Sequence, residues 1–422
     1  MNVYICILSD QVLQNVLPLY RMAVDVACLI ASEQMVSKGK DEQFSKLLSD
    51  LGLVEPENIV VLSEMPSSDY GDMCKWAKDQ IHKIHHGLPE AKIYLNATGG
   101  TKLMSLAFVE ACREKVLENK VEVIYCDTNN EKIEIIYPDF YTEPLAENLL
   151  SSEDILKAHS IRVKSALSDK SDWQKEVQER AELTRHLGQN MYEKLGSFIG
   201  SLNKELAKSL AQPIEKTQFP IEISLGKCIG SDWKEVLALM HKHKVIILDD
   251  ELQTDTPAVF RIDDLEKARY LHGIWLEEYL WLCFNQAGIS DVQSGMEIVS
   301  THDDTEFKDN ELDLVASYKN NLVIVECKTA YFFKDSKQQQ AFDTALNKLS
   351  AISARSGGQL VKSWFATARW PIEKKNVEEK EKAERFRAHA RSQGVVLIEP
   401  KYLRDLVDRL KEWKKTSRFP TR

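Results

Sequence analysis

The sequence predicts an α/β protein with two separate sheets, one in each terminal part of the chain. Residues 1–140 alternate short apolar runs with amphipathic helical patterns. Residues 151–212 keep only the helical period, and the alternation returns from residue 270. Alternating strands and helices are typical of βαβ units around a mainly parallel sheet. The chain has 422 residues, enough for two or more domains of roughly 100–200 residues each.

Composition excludes several classes of protein. With 43% hydrophobic and 28% charged residues, the chain is neither disordered nor collagen-like. Its net charge is −10, but the charge is uneven. Residues 1–150 hold 13 Lys and Arg against 23 Asp and Glu, whereas residues 361–422 hold 17 against 9. The acidity therefore belongs to the front of the chain, and the final segment is basic.

The eight cysteines are scattered without a CxxC pair, so a structural zinc site is not expected. Single cysteines in apolar runs are typical of reduced thiols in a cytosolic protein. The sequence shows no signal-peptide pattern and no apolar run near the roughly 20 residues of a membrane span. We therefore expect a cytoplasmic protein with no membrane partner.

The first predicted domain covers residues 1–150. Its first strand is an uninterrupted apolar run, as expected of a parallel strand buried on both faces. The predicted strands are residues 3–8, 26–30, 59–62, 92–95, 121–126 and 132–137. Helical spacing of apolar residues predicts helices from about residue 12 and over residues 41–51, 70–86 and 102–117. The last two strands are joined by a short turn and should add an antiparallel edge.

Residues 151–215 read as a helical linker or dimerisation segment, and residues 216–268 as a small insert. In the insert a predicted helix (residues 233–241) precedes two predicted strands, 245–248 and 259–262. That order resembles a small winged-helix module. A purely structural insert is the alternative.

Residues 269–422 form the last predicted domain, a second α/β unit. Two strands flanking a four-residue polar turn predict a hairpin. The predicted strands are residues 312–317, 322–327, 363–368 and 395–398. The predicted helices are residues 271–286, 336–354, 377–393 and 402–413.

A glycine loop follows the fourth strand of the first domain. Glycines let a backbone approach a ligand closely, and the N-terminus of the next helix offers free N–H groups to an anion. The order Gly-Gly-Thr-Lys does not match a Walker A loop. A polar segment after the first strand ends at the same sheet edge, where ligands bind in doubly wound folds. The candidate binding residues are Ser9, Asp10, Gln11, Asn96, Thr98, Gly99, Gly100, Thr101 and Lys102. A tight strand-to-helix turn without a ligand is the alternative.

This arrangement resembles the CRISPR-associated Rossmann fold, or CARF, sensor domain. The resemblance covers about residues 1–150 and implies a homodimer that binds cyclic oligoadenylate across its cleft. It implies that the residues of both loops contact this ligand. By family analogy a sensor of this size favours cyclic tetra-adenylate.

A second constellation lies in the C-terminal domain. Glu326 and Lys328 alternate along one strand and should face the same side, and Asp313 lies on the preceding strand. Two converging carboxylates repel unless a cation lies between them, and Mg²⁺ or Mn²⁺ prefers such oxygens. We expect Asp313, Glu326 and the Cys327 carbonyl to hold the metal. Lys328 could activate water or stabilise transition-state charge.

A third carboxylate lies on the apolar helix upstream. A carboxylate on such a helix needs an exposed edge, a partner or a metal. Glu277, one helical turn after Gly273, is chosen as a catalytic and metal-binding residue, with Glu278 as its solvated neighbour.

The order of elements, in which a helix carries a Glu, the next predicted strand an Asp and the strand after it Glu-x-Lys, is similar to the PD-(D/E)XK nuclease superfamily. The resemblance covers about residues 270–400. Leu312 stands where that pattern has Pro. Some members use a Gln on the next helix. Here the solvated-face interpretation is favoured for Gln338, Gln339 and Gln340.

The basic tail carries aromatic residues between its charges. Phe386, Trp413 and Phe419 could stack on exposed bases next to a nuclease centre. A solvated charged face is the alternative for this segment.

Sensor and nuclease together resemble type III CRISPR ancillary effectors of the kind described as DUF1887-like. The resemblance implies a metal-dependent endonuclease that is activated by cyclic oligoadenylate and cleaves single-stranded RNA or DNA, or nicks supercoiled DNA. Two alternatives remain. One is a ligand-controlled winged-helix DNA-binding regulator, and the other is a ring nuclease that degrades its own activator.

Overall fold

The computed structural model describes residues 1–249, 251–253, 256–300, 310–371 and 377–421. Its first sheet has seven strands in the order β3-β2-β1-β4-β5-β6-β7. The strands are β1 (Asn2–Ile7), β2 (Val26–Ser32), β3 (Ile59–Met65), β4 (Lys92–Asn96), β5 (Val121–Asp127), β6 (Lys132–Tyr137) and β7 (Tyr141–Pro144). The first five pair in parallel, and β6 and β7 add an antiparallel edge. The six strands predicted for this domain are all present at the expected positions along the chain, and β7 is a seventh strand that the sequence did not predict.

Helices cover both faces of this sheet. They are α1 (Leu13–Val16), α2 (Glu33–Ser37), α3 (Lys40–Asp50), α4 (Tyr70–Gly87) and α5 (Lys102–Cys112). Two caps show why the longer helices start where they do. Asp69 accepts the N–H of Asp72, and Thr101 accepts the N–H of Met104. The central strand β1 is buried along nearly its whole length, as its apolar run predicts.

The segment between the two large domains is not purely helical. Its elements are α6 (Ser152–Ala158), β8 (Ile161–Ala166), α7 (Ser171–Glu179), α8 (Ala181–Asn190) and α9 (Gly196–Ser209), with a π-helical turn at Met191–Leu195. The strand β8 pairs with a strand of the C-terminal sheet. The helical period of residues 151–215 does not predict this strand, because its pairing partner lies about 130 residues further along the chain.

The insert consists of β9 (Ile221–Cys228), α10 (Ser231–Lys242) and β10 (Pro257–Ile262), with β9 and β10 antiparallel. The prediction of a strand at 245–248 is wrong. In the described residues only Ile247 forms an isolated bridge, with Arg261. The strand that pairs with β10 instead precedes α10. The described residues of 221–262 therefore form two antiparallel paired strands with the helix α10 between them in sequence.

The C-terminal sheet has six strands in the order β15-β14-β13-β12-β11-β8. Its remaining strands are β11 (Val292–Ser300), β12 (Asn310–Tyr318), β13 (Asn321–Lys328), β14 (Val361–Thr367) and β15 (Val396–Ile398). The helices are α11 (Leu265–Arg269), α12 (Trp275–Gln286), α13 (Ser336–Arg355), α14 (Val377–Ser392), α15 (Pro400–Leu403) and α16 (Leu406–Thr416). A π-helical turn at Tyr270–Ile274 leads into α12.

The predicted hairpin is present as β12 and β13. Its two turn residues, Lys319 and Asn320, both have positive φ, as a tight two-residue turn requires. Strands β13, β14 and β15 run parallel, whereas β8, β11 and β12 are antiparallel neighbours. The three parallel strands therefore end at one edge, and Lys328 is the last residue of β13 there.

The N-terminal domain contacts the turn of this hairpin directly. Asn320 Oδ1 accepts the N–H of Leu149 at 2.7 Å, and Lys319 Nζ lies 2.7 Å from Glu131 and 3.1 Å from Glu147. One buried apolar cluster also continues from β1 and α3 through α6 to the C-terminal sheet. Among the described residues, no helix combines the length and apolar character needed to cross a membrane.

Candidate active site and ligand loop

The C-terminal candidate site lies where β12 and β13 lie side by side. Asp313 projects from β12, and its Oδ2 accepts the backbone N–H of Cys327 at 2.7 Å. Lys328 Nζ lies 2.6 Å from Glu326 Oε1 and 3.4 Å from Asp313 Oδ2. It also donates to the Cys327 carbonyl at 3.1 Å. The structure therefore brings together Asp313, Glu326 and Lys328, as the alternation of the two strands predicts.

Burial makes this cluster electrostatically unusual. The side chains of Asp313 and Glu326 are only 16% and 10% exposed. Burial, together with the charge of Glu326, raises the pKa of Asp313 to about 6, against the opposing effect of Lys328. Burial would lower the pKa of Lys328, but the carboxylates of Asp313 and Glu326 outweigh it and the pKa is raised. The lysine is therefore held as a cation between two acids.

Glu277 and Glu278 occupy different environments on α12. Burial, then the nearby charge of Asp313, raises the pKa of Glu277 well above its usual range. Glu278 is fully buried and forms an ion pair with Arg180 of the linker, whose Nε lies 3.0 Å from Glu278 Oε2. Glu278 is therefore not the solvated neighbour that the sequence predicts. The proximity of Glu277 to Asp313 favours Glu277 as the contribution of the helix to the site.

One threonine connects the end of β13 to the residues just before α12. Thr329, directly after Lys328, donates from Oγ1 to the carbonyl of His272 at 3.1 Å. The same hydroxyl accepts a hydrogen bond from Asn203 of α9 at 3.3 Å. These bonds position Glu277 relative to the end of β13, and they also tie the linker to the site.

A metal site is not formed by side chains alone. Within the described ranges, no three His, Cys, Asp or Glu side chains form a group that could hold a metal ion. Instead, the Lys328 ammonium contacts the carboxylates of Asp313 and Glu326 and the Cys327 carbonyl, the oxygens predicted as metal ligands. The donor set fits a hard divalent cation, because two carboxylates and one carbonyl present their oxygens to a single cationic group, and such an ion prefers oxygen ligands.

The glutamines at the start of α13 divide between two roles. The backbone N–H of Gln338 is capped by Asp335 at 3.0 Å, and its side-chain Oε1 is buried without a hydrogen-bond partner among the described residues. Gln340 is exposed, as a solvated face predicts. Gln338 is therefore not a simple surface residue.

The aromatic residues of the tail are core residues. Phe386 is buried and stacks on Phe342 with ring centroids 4.2 Å apart, and Trp413 is buried against Trp364. Phe419 packs edge-on against Trp364. Phe386 and Trp413 are therefore buried and not available to stack on bases, whereas Phe419 is only partly buried. The spacing of aromatic residues on a helix does not reveal which face is covered.

The N-terminal candidate site surrounds the glycine loop between β4 and α5. Asn96 is fully buried, and its Nδ2 donates to Tyr4 and to the Gln14 carbonyl, both at 2.9 Å. Thr98 Oγ1 accepts the N–H of Cys126 at 2.7 Å. Both side chains therefore shape the loop rather than project from it.

Close packing explains the two glycines. A Cβ at Gly99 would lie 2.0 Å from the Ile7 carbonyl oxygen. Gly100 has a φ of +76°, and a Cβ there would lie 2.4 Å from Ile7 Cγ2. The loop thus lies against the end of β1, with Thr101 capping α5 and Lys102 exposed at its first turn.

The loop after β1 approaches the glycine loop through a residue that sequence reasoning missed. Buried Asn15 donates to the Ile7 carbonyl at 2.9 Å, and its Oδ1 accepts from Asn96 at 3.1 Å. Ser9 donates to the Gln11 carbonyl at 3.3 Å, and Gln11 itself is exposed. The available signal for Asn15 was the polar pair Gln14 and Asn15 inside an apolar helical stretch.

Two further lysines lie beside Asp10. Lys38 Nζ is 3.0 Å from Asp10 Oδ2, and both residues line an open cleft of about 800 Å³ together with Lys40. Burial lowers the pKa of Lys40. These lysines, from the Lys-Gly-Lys segment before α3, supply positive charge near a loop of an acidic domain.

Comparison with known proteins identifies the two domains that hold these sites. The chain is an endonuclease with an N-terminal CARF domain. Residues 3–154 belong to the family described as "Card1 CARF domain", and residues 264–417 to the family described as "Card1-like, endonuclease domain". An endonuclease domain of this kind implies divalent-metal dependence in general terms.

Two solved structures share the fold over almost the whole chain. Protein VC1899 from Vibrio cholerae is 17% identical, with a TM-score of 0.75 and 99% of each chain covered. Can2 from Sulfobacillus thermosulfidooxidans, solved in complex with cyclic tetra-adenylate, is 21% identical with a TM-score of 0.69, and 98% of this chain and 99% of that chain are covered. No curated protein matches.

Proposed function

We propose that this protein is a metal-dependent nuclease of type III CRISPR antiviral defence, switched on by cyclic oligoadenylate. The observation that carries the proposal is the buried cluster of Asp313, Glu326 and Lys328 inside an endonuclease domain that shares its chain with a CARF domain. The similarity to Can2 supports cyclic tetra-adenylate as the activator, because that relative was solved with this ligand. The proposal places the activity in the cytoplasm.

The proposed active centre is of the PD-(D/E)XK type. Asp313, Glu326 and the Cys327 carbonyl would hold Mg²⁺ or Mn²⁺, with Glu277 completing the set. When bound, such an ion stabilises charge on the phosphate and lowers the pKa of a water molecule. Lys328 holds a proton at Nζ and can orient the attacking water or stabilise the developing charge at the phosphate.

The proposed activator site uses the edge formed by the two loops. Gly99, Gly100 and Thr101 present backbone groups, while Lys102, Ser9 and Gln11 offer side chains. Asn96 and Thr98 act by holding the loop in shape, as their buried hydrogen bonds support. Asp10 suits a ribose hydroxyl or a base better than a phosphate, because its charge repels an anion.

A homodimer is part of the proposal. Leu103 and Leu106 on α5 are 47% and 54% exposed. Leu103 directly follows Lys102, and Leu106 lies about one helical turn further along. Tyr125 of β5, 44% exposed, adds a third apolar side chain in the same domain. Exposed apolar side chains of this size beside a ligand loop favour coverage by a second copy. A twofold axis there would match a ring-shaped ligand with internal symmetry.

Coupling of sensor to nuclease has two physical routes. One passes from α9 to the catalytic strand through Asn203 and Thr329. The other is the ionic contact of Glu131 with Lys319 at the turn of the β12–β13 hairpin. Both routes end on the hairpin that carries the acids, so a movement of the sensor can shift the catalytic residues.

The experiment that tests the proposal measures cleavage of single-stranded RNA, single-stranded DNA and supercoiled plasmid. Wild-type protein is assayed with and without cyclic tetra-adenylate, and with and without Mn²⁺. We expect cleavage of at least one substrate only when both are present, and no cleavage by Lys328→Ala, although this variant still binds the activator. Full activity of Lys328→Ala, or activity that ignores the activator, would contradict the proposal.

A further inference from the structure

A cleft of about 420 Å³ opens beside the candidate active site, between the linker and the nuclease domain. The linker contributes Tyr192, Lys194 and Ser197, from the π-helical turn and the start of α9. The nuclease domain contributes Tyr331, Arg369 and Glu379. Glu193 of the linker and Trp370 of the nuclease domain also line the cleft.

The cleft lies at the catalytic edge of the sheet. In the parallel pairing of β13 and β14, Lys328 stands opposite Thr367. Ala368 then donates its N–H to the Lys328 carbonyl at 3.0 Å, and Arg369 is the next residue. Tyr331 lies three residues after Lys328, just beyond the end of β13. A nucleic-acid strand that crosses the acid–lysine centre therefore has this cleft as its neighbour.

Arg369 is a half-buried cation without an anionic partner among the described residues. Its guanidinium lies 4.9 Å from the centre of the Tyr331 ring and is the nearest side chain to Gly200, where a Cβ would be 2.6 Å from Nη2. Burial lowers the pKa of Arg369, with only Tyr331 opposing it. A charge removed from water without a counter-charge is costly, so an anion arriving here is stabilised.

The acids of the cleft are already engaged. Glu379 accepts a hydrogen bond from the Tyr331 hydroxyl at 2.8 Å, which also fixes the ring beneath the guanidinium. Glu193, on the same wall, lies 3.6 Å from Arg404. A further donor is unsatisfied, since the indole nitrogen of buried Trp370 has no hydrogen-bond partner among the described residues. Of the two cations that line the cleft, Lys194 lies 3.7 Å from Asp232, whereas no anionic partner of Arg369 is found among the described residues.

We infer that the cleft around Arg369 binds a backbone phosphate of the nucleic-acid substrate, next to the phosphate that is cut. Arginine presents a planar fork that matches phosphate oxygens in pairs. The rings of Tyr331 and Tyr192 provide a surface for the adjoining base. This inference rests on the proposed nuclease function, but it is tested without cleavage.

The test measures binding of fluorescein-labelled single-stranded DNA and RNA to full-length Lys328→Ala protein with cyclic tetra-adenylate present. Arg369→Gln is compared with Arg369→Lys and with Arg355→Gln. Arg355 is a matched control because it is an exposed arginine at the end of α13. It precedes the start of β14, whereas Arg369 follows the end of that strand. Titrations are repeated at several salt concentrations, and thermal unfolding checks that each variant is folded.

We expect Arg369→Gln to weaken binding about tenfold or more, as loss of a charge-assisted phosphate contact predicts. The slope of log affinity against log salt should fall by about 0.7, the value for one lost contact to a single strand. Arg355→Gln should change neither quantity. Arg369→Lys should keep the slope and weaken binding less, because the charge remains while the paired hydrogen bonds are lost.

Affinity and salt slope of Arg369→Gln that equal those of the parent would overturn the inference, and so would a parent that binds neither oligonucleotide. If Arg369→Gln is unfolded, the folded variant Arg369→Lys provides the test. An affinity of Arg369→Lys equal to that of the parent would contradict a paired hydrogen-bond contact between Arg369 and a phosphate. Wild-type protein that binds strands but cleaves nothing would end the proposed nuclease function alone, because these titrations do not depend on cleavage.

Discussion

The glycine loop and the acid–lysine cluster use their predicted residues in opposite ways. At the loop, the side chains of Asn96 and Thr98 bond to the protein's own backbone and neighbouring side chains. At the cluster, Asp313, Glu326 and Lys328 bond mainly to one another. The first motif therefore creates a backbone shape, and the second creates a charge distribution. Substitutions should accordingly act through loop geometry in one region and through electrostatics in the other.

The largest effect is expected from Asp313→Asn, which keeps the shape of the side chain but removes its charge. Activated cleavage should fall roughly 10³-fold or more, because a metal ligand and the partner of Lys328 are lost together. Activator binding should not change. Rates are measured under single-turnover conditions, with Glu297→Gln, an exposed acid on β11 of the same sheet, as the matched control. Similar rates for both variants would end the assignment of Asp313.

The adjacent glutamates of α12 sharpen the comparison within one helix. Glu278→Gln should destabilise the protein by about 3–5 kcal/mol, because buried Arg180 loses its partner. Burial raises the pKa of both glutamates, but no ion pair of Glu277 is found among the described residues. Glu277→Gln should therefore leave stability unchanged or raise it, but it should reduce cleavage about 10²-fold. Chemical denaturation and cleavage rates of both variants are compared. A loss of stability in Glu277→Gln, with full activity, would reverse the two roles.

A methyl group tests the shape of the loop. In Gly99→Ala the added Cβ would meet the Ile7 carbonyl at 2.0 Å, so the loop must move, at a cost of about 1–3 kcal/mol. We expect the affinity for cyclic tetra-adenylate to fall at least about tenfold. Gly87→Ala is the control, because no atom lies within 4 Å of its added Cβ. Calorimetric titration that finds equal affinities would remove the loop from the activator site.

The smallest expected effect is a pH dependence of stability without metal. The pKa of Asp313 is raised to about 6 by burial, against about 3.9 in an unfolded chain. The folded state therefore holds this proton more tightly, and its contribution to stability is lost as pH rises from about 4 to 6. Relative to wild type, Asp313→Asn should gain on the order of 2 kcal/mol over that window. Denaturant titrations in chelator at several pH values measure it, and a constant difference would contradict it.

Local patterns were sufficient for most elements but not for those that depend on distant partners. The alternation of residues 1–140 predicted six of the seven strands of the first sheet, and the polar turn predicted the β12–β13 hairpin. The strand β8 joins the C-terminal sheet by pairing with β11, which no window of sequence around residue 161 contains. The same limitation applied to residues 245–248, whose apolar run packs into the core near α10 instead of forming a strand.

The candidate site residues also divide into those that short-range spacing predicts and those that depend on distant partners. Asp313, Glu326 and Lys328 were predictable because strand alternation and a short hairpin place them together. The difference between Glu277 and Glu278 was not predictable, because Arg180, which takes up Glu278, lies 98 residues earlier. Asn15 and Arg369 were missed for a related reason, because the contacts that make each of them a candidate come from residues on other elements.

The sequence by itself determined the two α/β domains, the glycine loop and the identity of the acid–lysine cluster. These features depend on periodicity and short-range spacing, which act within a few residues. Only the tertiary structure decided which acids share an environment, which tail aromatics are buried, and that Arg369 lacks a counter-charge among the described residues. Burial and charge pairing are properties of elements distant in sequence that packing brings together, so they appear only once the chain is folded.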